Sequence, residues 1–149
     1  MADVTPTMPE KLVSHLTPGC PALLLTAGSD GYPSSAYTWA VALDETRVRF
    51  AVDAGGTALV NLNASGLAGL HIIGPDNLAY LVKGSARRVK DRIDAATGGE
   101  MALWEMKVMG ARDQSFPGVT PKPFTYEWPA DQRSAMQQME QAVFAEMKG

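Results

Sequence analysis

Residues 22–52, ALLLTAGSDGYPSSAYTWAVALDETRVRFAV, constrain the fold more than any other part of the chain. Turn-forming residues interrupt this stretch twice, at Ser29-Asp30-Gly31 and at Asp44-Glu45-Thr46. The flanks are rich in β-branched and aromatic residues, which suit a pleated, half-buried surface. The stretch therefore predicts a three-strand meander. Side chains alternate between the faces of a strand. In the last strand this puts Val48, Phe50 and Val52 on one face and Arg47, Arg49 and Ala51 on the other.

The remaining elements can be placed around that meander. Pro9 can open a short helix, in which Leu12, Val13 and Leu16 share a face before Thr17-Pro18-Gly19 ends it. Such a helix is expected to cap the sheet. After the meander, Asp53-Ala54-Gly55-Gly56 leads into a second short helix with Thr57 as N-cap and Ala58, Leu59 and Leu62 as its apolar face. Residues 67–73 and 78–89 read as a hairpin turning at Gly74-Pro75-Asp76-Asn77. Residues 101–108 read as a sixth strand. There Ala102, Trp104, Met106 and Val108 alternate with Glu105 and Lys107, which are expected to face water. A proline-rich loop, FPGVTPKPF, and a short extended piece at residues 124–128 precede a final helix opened by Pro129. Met136, Met139, Val143, Phe144 and Met147 recur along it at helical spacing, a methionine-rich stripe for the core or for a partner subunit. Six strands in this order close most economically into a small barrel, because closure removes exposed strand edges.

Size and charge narrow the function. A chain of 149 residues, 46% hydrophobic, suits one domain over residues 1–149. A net charge of -3 and a pI near 5.3 provide no field that would attract nucleic acid or an anionic membrane. Lys83, Arg87 and Arg88 accordingly read as solvated strand positions. The single cysteine, Cys20, reads as a small apolar filler, and it forms no zinc-like spacing with His15 or His71. A reducing cytoplasm fits best. The first residues lack the basic start and apolar run of a secretory signal, and no apolar run approaches the ~18 residues of a membrane span.

No acid–base or nucleophilic constellation stands out. Gly55-Gly56 before a helix start would let backbone approach a ligand, and free N–H groups there can hold an anion such as phosphate. A plain turn is the other reading of the same residues.

Taken together, Asp30-Gly31-Tyr32-Pro33 in the first hairpin, Asn61-Leu62 in the helix after the third strand and Lys83-Gly84-Ser85-Ala86 in the fifth strand resemble the pyridoxamine 5'-phosphate oxidase-like split-barrel family, over residues 8–108. The tail TYEW with its helix is similar to one group of members. The resemblance implies a mainly β fold, a six-stranded split β-barrel with short helices and a C-terminal amphipathic helix. It also implies a homodimer with FMN at the subunit interface. Its flavin ring would lie against Ser35, Tyr37, Thr38 and Trp39 on one strand and Phe50, Val52 and Asp53 on the next. Its phosphate would lie near Gly56, Thr57, Ala58 and Asn61. The expected function is flavin-dependent oxidoreduction of a small molecule. The alternatives are a non-catalytic carrier of flavin, deazaflavin or haem, with His15 and His71 as the imidazoles for iron, or a cofactor-free dimeric module. The chain departs from the family where basic residues are common, at Ala36 on the second strand and at Ala58 or Leu59 in the short helix. The family's pyridoxal-phosphate-forming activity is not expected, because TYEWPADQRSAMQQMEQ does not match the carboxy-terminal substrate-binding segment of members with that activity.

Overall fold

The computed structural model describes residues 4–149. Residues 1–3, which begin the stretch read as lacking a signal, lie outside it. The strands are β1 (Val4–Thr5), β2 (Cys20–Ala27), β3 (Pro33–Ala42), β4 (Arg47–Asp53), β5 (Leu67–Ile73), β6 (Ala79–Lys90) and β7 (Met101–Asp113). The helices are α1 (Glu10–Leu16), α2 (Thr57–Ser65) and α3 (Arg133–Lys148). Sheet order is β1-β7-β4-β3-β2-β5-β6, and β6 pairs with β7 to close strands β2 to β7 into an antiparallel barrel. The expected meander and hairpin are both present. None of the described helices is long and apolar enough to cross a membrane.

The barrel interior follows from the alternation. Leu24, Val48, Phe50, Val52, Leu70, Ile72, Val82 and Met106 point inward and are sealed from solvent. Helix α1 closes the structure with Leu12 and Leu16, both fully buried; Pro9 occupies its N-cap and accepts from the N–H groups of Leu12 and Val13. Burying such a side chain contributes about 1.5–3 kcal/mol.

A second core lies outside the barrel. Val41, Ala51 and Leu103 on the outer face of β3, β4 and β7 pack under Val143, Phe144 and Met147 of α3, with Ile93 and Ala96 filling the side. This corrects the expectation for Glu105, which is only 7% exposed. Its carboxylate accepts from Arg49 Nε at 3.0 Å and from Arg87 Nη2 at 3.2 Å. Arg49 also donates to the Met147 carbonyl at 2.9 Å, satisfying the end of α3. An outward-pointing residue meets water only where nothing covers the sheet, and here α3 lies over that face.

Three boundaries differ from expectation in ways that matter to the packing; β6 is merely shifted by one residue, to Ala79–Lys90. Strand β7 continues past Val108 to Asp113, through an irregularity at which Lys83 pairs with Gly110 but Gly84 with Val108, leaving Met109 as the extra residue. A side chain at position 84 would stand 1.9 Å from the Lys107 carbonyl oxygen, so the bulge requires glycine there. The final helix starts at Arg133, one turn after Pro129. At α2, Gly56 rather than Thr57 is the N-cap, and no side chain caps the helix.

Candidate functional site

Strands β3 and β4 are paired only from Ala40↔Phe50 to Ala42↔Val48. Where that ladder stops, the Thr38 hydroxyl donates to the Ala51 carbonyl at 2.5 Å, bridging the two strands one last time. Beyond it they diverge. The amino-terminal half of β3 keeps β2 as its partner but has none on the β4 side, which leaves strand-edge backbone groups available there.

A cavity of about 370 Å³ occupies the divergence. Residues 34–37 of β3 and 51–53 of β4 form its walls, residues 56–58 at the start of α2 close one end, and Leu24 and Met101 complete it. Gly56 and Ala58 keep the helix end free of bulk. Tyr37, 78% exposed, stacks on Phe124 with ring centroids 5.5 Å apart.

Seven of the residues expected at a flavin site meet here: Ser35, Tyr37, Val52, Asp53, Gly56, Thr57 and Ala58. Four do not line the cavity. Thr38 is buried in its bond to Ala51. Trp39 lies on the outer face, donating from Nε1 to Tyr126 Oη at 2.6 Å. Phe50 is fully enclosed in the barrel. Asn61 is buried and donates from Nδ2 to Thr26 Oγ1 at 3.0 Å, pinning α2 to β2. Sequence reasoning missed Leu24, Ser34, Ala51 and Met101. Ser34 and Ala51 adjoin residues already singled out, whereas Met101 arrives only through its register opposite Asp53.

The electrostatics of the cavity are unusual for a phosphate site. Gly55 N–H donates to Asp53 Oδ1 at 3.0 Å and Gly56 N–H to the Asp53 carbonyl at 3.2 Å, so the two glycine amides serve the turn. What remains for an anion is the uncapped first turn of α2 and the Thr57 hydroxyl. No Lys or Arg lines the cavity, and Asp53 places a carboxylate on it. The arginines that could stand in are engaged elsewhere. Arg49 and Arg87 hold Glu105, and Arg88 reaches Asp91 and Asn63 while lying over Trp104. At its α2 end the cavity thus offers an anion only the helix amides and one hydroxyl, with no basic side chain on its walls.

Other candidate groups lie elsewhere. Burial pushes the Cys20 thiol up to about 12, as suits a filler and not a nucleophile. His15 packs against Gly74, where burial lowers its pKa, and His71 sits in β5 between Leu23 and Leu81; neither lines the cavity. Among the described residues no three His, Cys, Asp or Glu side chains are grouped to hold a metal.

Comparison with known proteins gives the class. No protein-family model matches the chain, and no curated protein does. Solved structures do. An F420 reductase superposes with a TM-score of 0.60 at 21% identity, over 72% of this chain and 100% of that one. A putative pyridoxamine 5'-phosphate oxidase from Lactobacillus delbrueckii gives 0.58 at 17% identity, over 72% and 94%. HupZ of Group A Streptococcus gives 0.57 at 14%, over 76% and 95%. The chain has the split-barrel fold of the pyridoxamine 5'-phosphate oxidase-like proteins, as its short motifs indicated.

Proposed function

We propose that the chain, as one domain over residues 1–149, is a flavin-binding oxidoreductase that acts on a small molecule and works as a homodimer in the cytoplasm. The observation that carries this reading is the broken β3–β4 ladder, which opens a ligand-sized cavity onto free strand edge at the start of α2. FMN, or a deazaflavin such as the F420 reductase's name points to, would supply hydride or electron transfer. The chain would supply position. Unpaired β3 backbone and the Ser35 hydroxyl would hydrogen-bond the polar edge of the ring. Tyr37, braced by Phe124, would border one face, and Thr57 with the first turn of α2 would receive the anionic end. The homodimer is supported by a cleft of about 650 Å³ on the outer surface around β2, β5 and β6, edged by exposed Val4, Tyr32, Leu67 and Met109.

A carrier without turnover is the second reading, favoured by the lack of any Lys or Arg at the cavity, since charge-assisted bonds to phosphate are about twice as strong as neutral ones. An absorbance spectrum after flavin addition and desalting tests both. A retained flavin band is expected, and its absence would end the flavin reading. Turnover of reduced nicotinamide with a quinone then separates oxidoreductase from carrier.

A further inference from the structure

A larger cavity, about 920 Å³, lies apart from the β3–β4 opening, where the start of β2, residues 125–128 and one face of α3 meet. Its walls include the aromatic side chains of Tyr126, Trp128 and Phe144. Glu140 sits among them. Trp128 Nε1 donates to Glu140 Oε1, and Tyr126 Oη donates to Oε2 at 2.6 Å. Trp39 Nε1 donates to the same Tyr126 oxygen at 2.6 Å, and because an indole N–H can only donate, the phenol proton is directed to Glu140. Burial, and then the bond to Glu140, hold the Tyr126 hydroxyl well above its ordinary pKa, so it stays a donor.

Glu140 is therefore an acceptor of neutral hydrogen bonds and nothing more. Every ion pair among the described residues involves other carboxylates. The one cation that lines the cavity, Arg133, is seven residues earlier on α3, roughly 10 Å along the axis at 1.5 Å per residue. Glu127 adds a second negative charge to the wall. A carboxylate with no ion-pair partner, beside aromatic side chains that line the same cavity, is an arrangement that attracts an organic cation. A divalent metal would find too few ligands here.

We propose that this cavity binds an organic cation of the alkylammonium or quaternary ammonium class, with Glu140 as counter-charge and Tyr126, Trp128 and Phe144 as its apolar wall. The site is independent of the flavin reading. Trp39 and Trp128 adjoin it, so tryptophan fluorescence of the full chain reports occupancy. Choline should give a saturable change, and 3,3-dimethylbutan-1-ol, its neutral isostere, should bind about tenfold more weakly, the scale of one desolvated cation–π contact. Glu140→Gln removes the charge while its amide oxygen still accepts from one of the two donors, and it should reduce that preference. Gln141→Lys leaves the aromatic network intact and places a cation on the exposed wall; it should weaken choline to the same degree. Absence of a saturable signal with choline, or equal binding of choline and the alcohol, overturns the proposal. So does undiminished choline binding in Gln141→Lys, which keeps the test decisive if Glu140→Gln fails to fold.

Discussion

The two outer faces of the barrel carry similar alternating patterns and meet different ends. On β3, β4 and β7 the outward residues Val41, Ala51 and Leu103 are covered by α3, and the charges among them are drawn into the Arg49–Glu105–Arg87 cluster. On the β5 to β7 side Leu67 is 56% exposed and Met109 67%, with no helix among the described residues covering them. Alternation fixes which way a residue points, but what it meets is decided by a distant part of the chain. The covered face stabilises the fold, and in the proposed homodimer the open one would receive the second copy.

The largest consequence of this contrast falls on Phe144. Its ring lies against Gly19 so closely that a β-carbon there would overlap it, and it meets Trp39 edge-on at 6.1 Å. Phe144→Ala should cost about 3–5 kcal/mol, the usual loss for emptying a packed aromatic site. Urea unfolding measures it. A loss below ~1 kcal/mol would show that α3 rests loosely on the barrel and that the two faces do not differ as described.

On the open face the expected stability change is much smaller. Leu67→Lys should move monomer stability by less than about 0.5 kcal/mol, because the position is already in water. The same change should dissociate the proposed homodimer in sedimentation, since each charge would have to be buried against its symmetry mate. A dimer that survives the substitution would place the interface elsewhere.

The same contrast explains what could be read from sequence. The meander, the hairpin and the apolar stripe of α3 were legible because each is a local periodicity, in which residues such as Val48, Phe50 and Val52 announce their face by spacing alone. Glu105 was not legible, because its burial depends on α3, which follows it in the chain. The carboxyl end of β7 was lost at Met109, where the bulge breaks the alternation on which strand reading depends. At the candidate site, Ser35, Tyr37, Asp53, Gly56, Thr57 and Ala58 were found through a resemblance that placed whole strands against a ligand. It did not distinguish the inward Phe50, the bridging Thr38 or the pinned Asn61 from residues that line the cavity. Met101 has no signal in sequence, because only the β4–β7 register brings it beside Asp53.

Asp44 belongs to neither face and sets the scale of a purely local contribution. In the β3–β4 turn its carboxylate accepts from Arg47 Nε at 2.9 Å and from Thr46 N–H at 2.9 Å. The Arg47 hydrogen bond, ahead of the Thr46 contacts, lowers its pKa from 3.8 to about 2. A carboxyl with a depressed folded-state pKa adds stability that is fully present above the unfolded value and is lost as pH falls through the folded one. The window is therefore pH 4 down to pH 2. The side chain is 40% exposed, so solvent screening holds the contribution below about 1 kcal/mol. Asp44→Asn should flatten the pH dependence across that window, lowering stability at pH 7 by that same amount, below about 1 kcal/mol, and leaving it unchanged at pH 2. Denaturant midpoints at pH 2, 3, 4 and 7 measure both. An unchanged slope would mean that the unfolded chain retains the Asp44–Arg47 pair, three residues apart, about as well as the folded one does.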